Sequence, residues 1–410
     1  MIETRHEFLE CGVEMAAAFL PDRRVVHFEF RLYAGAAHEP SERLGLAHLV
    51  EETVTKGTER RSGRELSDAF DAIGASHSTW TGRECAGFGS TCLPEYLEEA
   101  LGLHAEFLRT PTFPEDACSV AVELAEQEIN SLNDEPRDLC DKLLARQTYG
   151  EVLGRHVLGE PETLKRITRQ DIAGFWQRMY VPGRMQLVLA GPVDWERTKA
   201  CVESLFAGCG GAKSSGREPF TFQFNAQRAH HQQETEQEQI GVCYPGVAVP
   251  SREFPIERVL LGVLSGGMSS RLFTEVREKL GLVYYVQAWS EHPRGAGMIH
   301  IAASTTPERC AETYATLLRE ISRLADDVTE EELERAKTGL LARAETRGET
   351  TSARCAELGN DLFHYGHPVS REEKLDAIRE VSVEDIRRYL HEHPRDQLSV
   401  LTLGPSQLEV

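Results

Sequence analysis

The sequence predicts two related α+β domains, and three observations carry that expectation. A chain of 410 residues is too long for one ordinary domain. A run of small residues, Gly208-Cys209-Gly210-Gly211-Ala212-Lys213-Ser214-Ser215-Gly216, interrupts it near the middle, and such a segment makes a poor core and a good linker. The same order of strand-like and helix-like segments then occurs on both sides of the interruption. The expected division is an N-terminal domain over 1–207, a linker over 208–219 and a C-terminal domain over 220–410.

Taken in order, Val25 to Leu32 alternates apolar and polar residues as a half-buried strand does. Gln239 to Tyr244 opens the second half in the same way. A helix-period segment follows each strand, Leu46 to Val54 and then Ile256 to Leu264. Longer amphipathic helices come next, Glu115 to Ser131 and Glu330 to Ala344. Each half closes with a short apolar strand, Met185 to Ala190 and Gln397 to Leu403. Identity between the halves is weak, so the relation rests on element order.

Composition narrows the function. Forty-five basic against 66 acidic residues give a formal charge of −21, which disfavours nucleic acid and anionic membrane, since both reward clustered positive charge. No stretch approaches the roughly 20 apolar residues that span a bilayer. The first twenty residues carry Glu3, Arg5, Glu7 and Glu10 among apolar ones, unlike a secretory signal. The ten cysteines show no paired metal spacing and read as reduced thiols of a cytoplasmic protein.

The chemistry is concentrated in Gly45-Leu46-Ala47-His48-Leu49-Val50-Glu51-Glu52. On a helix, positions 48 and 52 lie one above the other and position 51 shares their face. A metal held between 48 and 52 would sit beside the Glu51 carboxylate. An open tetrahedral zinc site needs three protein ligands plus water, and a neighbouring carboxylate takes the proton from that water. Glu128, on the second long helix, is the candidate third ligand. Taken alone, Glu51-Glu52 reads equally as an acidic pair on a solvated helix face.

The segment GLAHLVEETVTKGTERRS resembles the first-helix signature of the pitrilysin and mitochondrial-processing-peptidase family, inverted zincins whose motif is H-x-x-E-H. EINSLNDEP resembles that family's third-ligand segment, HVLGEPETLKRITRQDIAGFWQRMYVPGRMQLVLAG the stretch closing its first domain, and GGMSSRLFTEVREKLGLVYYV its second-domain signature. The resemblance implies a mostly antiparallel sheet covered by helices in each domain. It implies a metal-dependent endopeptidase with zinc held by His48 and Glu128 beside Glu51 as general base; Glu52, four residues after His48, can point an oxygen at the same ion, and manganese is then an alternative to zinc. One position departs: Glu52 stands where the family has its second histidine. Two carboxylates with a divalent ion make a neutral centre, which shifts preference toward harder ions.

By the same resemblance, Arg277 and Tyr284 reach toward the substrate carbonyl, a task that suits a guanidinium and a phenol as donors to a developing oxyanion. The segment Ser76-His77-Ser78-Thr79-Trp80-Thr81 would be the edge strand that pairs with bound peptide. His77 reads as an ordinary strand residue in preference to a replacement ligand. Gly266-Gly267-Met268-Ser269-Ser270 lacks the phosphate-loop ending and reads as a turn feeding a helix. The partners implied are peptide substrates and a second chain, in a homodimer or in a heterodimer with a related family chain. In the heterodimer this chain would be the inactive subunit, supplying Arg277, Tyr284 and peptide-binding surface.

Overall fold

The computed structural model describes residues 2–209, 217–221 and 223–407. Two compact units emerge. The first comprises Met1–Asn130, Arg155–Glu218 and Arg347–Val369; the second comprises Ser131–Gly154, Pro219–Thr346 and Ser370–Val410. The expected linker falls largely on residues 210–216, outside the described residues.

The first unit is built on β1 (Thr4–Phe8), β2 (Glu14–Phe19), β3 (Val26–Leu32), β4 (Ser76–Thr81), β5 (Ala86–Cys92) and β6 (Met185–Gly191). They lie in the order β1-β2-β6-β3-β5-β4. The β2–β6 pair is parallel and the others are antiparallel. Alternation along the strands sends side chains to two different cores. Met15, Ala17, Leu187 and Leu189 join Phe28 and Phe30 beneath the helices of the first half. Ala16, Ala18, Val188 and Ala190 face the other way and pack against Cys355, Leu358 and Leu362 of the helix Thr351–Tyr365.

The second unit holds β7 (Arg228–Gln232), β8 (Glu238–Gly246), β9 (Val283–Glu291), β10 (Gly297–Thr305) and β11 (Ser399–Gly404), in the order β7-β11-β8-β10-β9. Here β7 and β11 are parallel and the other pairs antiparallel. Setting β1 aside, both sheets have the same path: first strand, fifth, second, fourth, third. That is the internal repeat expected from element order, now carried by topology. One face of this sheet buries Ile240, Val242, Ile299 and Ile301 against helices. The opposite face receives the helix Pro136–Leu153, whose Leu144 and Cys140 fit above Gly241; a Cβ there would come within 3.0 Å of the leucine.

These units depart from contiguous halves at two places. Residues 131–154 fall in the second unit and 347–369 in the first. Periodicity shows that a helix has an apolar face, but it is silent on which sheet covers that face.

Candidate metal centre

The helix Leu46–Val54 presents His48, Glu51 and Glu52 on one side because they are spaced three and four apart. It starts at Gly45, whose φ of 102° is left-handed and suits glycine. A Cβ there would also press within 2.7 Å of Leu164. Gly45 provides no side-chain cap. Glu39 supplies one from outside, accepting from the Gly45 N–H at 3.0 Å and the Ala47 N–H at 2.7 Å. The Glu39 side chain is buried, and burial lifts its carboxyl to about 7 against those two bonds.

His48, Glu51 and Glu52 each offer one ligand atom, all within 4.8 Å of one another. Imidazole Nδ1 of His48 lies 3.4 Å from Glu51 Oε2, and Nε2 lies 3.7 Å from Glu128 Oε2. Glu51 is buried at 5% exposure, whereas the Glu128 side chain is 55% exposed. Thr81 Oγ1 donates to Glu51 at 3.2 Å from β4, and Thr79 hydrogen-bonds to it from the same face of that strand.

The electrostatics set the protonation states. Burial pushes the Glu51 carboxyl upward, but hydrogen bonds from His48, Thr79 and Thr81 and the His48 charge outweigh it and hold the group below its usual range. For His48, burial works against the cation, and contact with Glu51 plus the charges of Glu51, Glu52 and Glu128 win, raising its pKa. Tyr180 is buried close enough to feel Glu51, and its hydroxyl has no hydrogen-bond partner among the described residues. Burial first, then that negative charge, holds the phenol well above its ordinary pKa.

An imidazole nitrogen and carboxylate oxygens gathered around one point are donors that suit a divalent cation. His48 faces both Glu51 and Glu128 through its two nitrogens, and Glu52 joins the same group. His48, Glu51 and Glu52 therefore fit a divalent ion, with one nitrogen and two carboxylates as donors, whereas the expected ligand Glu128 lies outside that group and meets His48 at 3.7 Å. His77 is not in this group; its ring packs 5.1 Å from Phe70.

Arg277 and Tyr284 belong to the second unit. The Arg277 guanidinium lies 5.0 Å from the Tyr284 ring centroid and 4.8 Å from that of Phe273, a cation–π arrangement. Tyr284 is the second residue of the edge strand β9, with 78% of its surface exposed. Arg277 comes from Leu272–Lys279, a helix wound in the wide i→i+5 form, which recurs at functional positions.

Comparison with known proteins is decisive for ancestry. The family described as Insulinase (Peptidase family M16) matches residues 21–161, and its companion described as Peptidase M16 inactive domain matches residues 166–340. The chain belongs to peptidase family M16. Relatives of this M16 protein include one named "Uncharacterized zinc protease" from Rickettsia felis, 28% identical over 376 residues and 91% of each chain. A similarly named Bacillus subtilis protein is 28% identical over 403 residues, covering 96% of this chain and 97% of that one. Among solved structures, a peptidase M16 inactive domain from Pseudomonas fluorescens superposes with a TM-score of 0.91 at 20% identity, over 100% of both chains. A protease from Helicobacter pylori gives 0.90 at 17% identity, over 99% of this chain and 100% of that one. Both sheet-plus-helix units of the M16 fold are therefore present.

Sequence reading missed the groups that support the centre. Thr79 and Thr81 stood in a segment read for peptide pairing, although their two-residue spacing already put them on one face. Glu39 precedes its helix by too many residues for a standard capping pattern. Tyr180 carried no local signal.

Proposed function

We propose that this M16 chain is a metal-dependent endopeptidase in which His48, Glu52 and Glu128 hold a divalent ion and Glu51 is the general base. The observation that supports the reading best is the buried, ionised Glu51, oriented by His48, Thr79 and Thr81 inside a group of metal-competent donors. When bound, such an ion supplies Lewis-acid polarisation of a carbonyl and makes a water more acidic. Glu51 would accept a proton from water and pass it to the leaving amine. The threonine donors keep its carboxylate from rotating away. Arg277 and Tyr284 are the proposed donors to the substrate oxygen. Peptide would lie along β4, the edge strand of its sheet among the described residues. Zinc is favoured by the relatives' names; the oxygen-rich donors extend the range to manganese. The protein would work in the cytoplasm, where the ten cysteines, none in a disulfide among the described residues, stay reduced, as a homodimer or with a related chain.

A second reading has its own observation. Glu52 replaces an imidazole while the Arg277–Tyr284 pair is intact and stacked, which suits an inactive subunit that lends those two groups to a catalytic partner. One experiment separates the two. The purified chain and Glu51→Gln are compared for metal content and for cleavage of a quenched peptide library. Under the first reading wild type holds about one ion, and Glu51→Gln keeps it while losing at least about 100-fold in rate. A wild type that is inert with zinc and with manganese would overturn that reading in favour of the second.

A further inference from the structure

The second unit contains a cavity of about 220 Å³ between the turn at Gly266, Gly267 and Met268 and the helix Glu330–Arg347. Arg335, Gly339 and Arg343 line it at four-residue intervals, so one helix face carries two guanidinium groups with bare backbone between them. A Cβ at position 339 would lie 3.4 Å from Nη1 of Arg343, which places that guanidinium over the glycine. Arg343 Nη1 donates to the Gly266 carbonyl at 3.1 Å, tying the helix to the turn across the cavity. Its charge has no carboxylate partner among the described residues, in a chain of net charge −21.

Of the three ionised side chains that line the space, two are cationic. Glu332 also lines the cavity, but Arg271 donates to both its oxygens, at 2.6 and 2.8 Å. Arg335 reaches Glu331 at 3.3 Å in a pair whose side chains are 47% and 87% exposed, the kind of contact that exchanges at little cost. The wall at Ser269 and Ser270 leads into the helix Leu272–Lys279, whose N-terminal end adds a partial positive charge.

We propose that this notch binds a small oxyanion, phosphate- or carboxylate-bearing, between Arg335 and Arg343. The space is below the roughly 300 Å³ at which pockets for drug-sized ligands begin, and the turn lacks the lysine of a phosphate loop, so a nucleotide is not the occupant. Phosphate, pyrophosphate or a short dicarboxylate is the right size. An occupant would sit at the start of the helix that carries Arg277 and would stabilise it through its dipole. The proposal concerns binding alone and stands whether or not the metal centre is active.

The test is calorimetric titration of the purified full chain with inorganic phosphate, pyrophosphate and glutarate at constant ionic strength. Saturable binding below about 1 mM is expected for at least one of them. A preference for the phosphates identifies a phosphate source, and a preference for glutarate a carboxylate source. Arg343→Gln is expected to weaken binding at least about tenfold. Gly339→Leu keeps both arginines and fills the notch, and the same loss is expected, with the melting temperature of each variant recorded as the check on folding. The proposal is overturned if none of the three saturates below about 10 mM, or if both folded variants bind as wild type does.

Discussion

Glu52 is the residue on which the chemistry turns. An imidazole in its place would be a neutral ligand and leave a divalent centre positive; a carboxylate removes that charge and weakens the pull on a water or carbonyl. Glu52→His is therefore expected to raise zinc affinity at least about tenfold, measured by competition with a chromophoric chelator, and to reduce any preference for manganese. Unchanged zinc affinity would show that position 52 is not a ligand. His104 tests the core of the same unit. It is 1% exposed and packed against Phe28, Phe107 and Phe70 with ring centroids at 4.8, 5.0 and 5.2 Å. Burial pushes its imidazole down to about 4, against hydrogen bonds to the carbonyls of Ala100 and Gly89. The unfolded chain takes up a proton near 6.5 and the folded chain only near 4. The stability this group contributes is complete above about 6.5 and falls away as pH drops toward 4, by about 3 kcal/mol. His104→Phe should lack that part of the pH dependence, read as the difference between the two denaturation profiles.

At the scale of the element, the helix Leu46–Val54 shows how a nine-residue segment is held rigidly enough to present a site. Isolated helices of this length are marginal in water, so its position depends on what surrounds it. Its inner face buries Leu46, Leu49, Val50 and Val54. Its first N–H groups end on Glu39, whose own carbonyl accepts from Arg155 at 2.6 Å. Glu39→Ala would leave two buried N–H groups without an acceptor, at a cost of about 2 kcal/mol. Urea denaturation should report that loss, together with weaker metal binding because the first turn carries His48. A variant with wild-type stability would remove Glu39 from this role. The strand β4 acts on the same helix from the other side, through Thr79 and Thr81.

For the whole molecule, the repeated strand path is the main finding, because it shows one architecture used twice with different side chains in each copy. The first copy holds the metal-competent group and the second the Arg277–Tyr284 pair. Each sheet also receives a helix from the other half of the sequence. Leu358 is 4% exposed against the alanines of β2 and β6. Leu358→Ala should destabilise the first unit by about 2–5 kcal/mol. Hydrogen exchange is expected to rise in β2 and β6, more than 160 positions away in sequence, while the strands of the second unit keep their protection. Faster exchange confined to the second sheet would contradict the division into units.

Much of this was legible in the residues, and for a definite reason. Local spacing determined the helix at 46–54, the strands near 26–32 and 185–191, and the grouping of His48, Glu51 and Glu52, because periods of 2 and 3.6 are properties of the chain itself. Element order went further and predicted two related α+β domains. The chain passes from one unit to the other at Glu218 and Pro219, inside the expected linker 208–219, but each unit also takes in a segment from the other side of it, since the sheet a helix covers is chosen by packing between distant segments. The support of the centre was equally out of reach. Thr81, Glu39 and Tyr180 approach Glu51 or its helix only after β4, the loop at 39 and the turn before β6 converge, and hydrogen bonds across such separations leave no period to read. The residue types that make chemistry were set by sequence; the protonation, burial and orientation that could make them work were decided by tertiary structure alone.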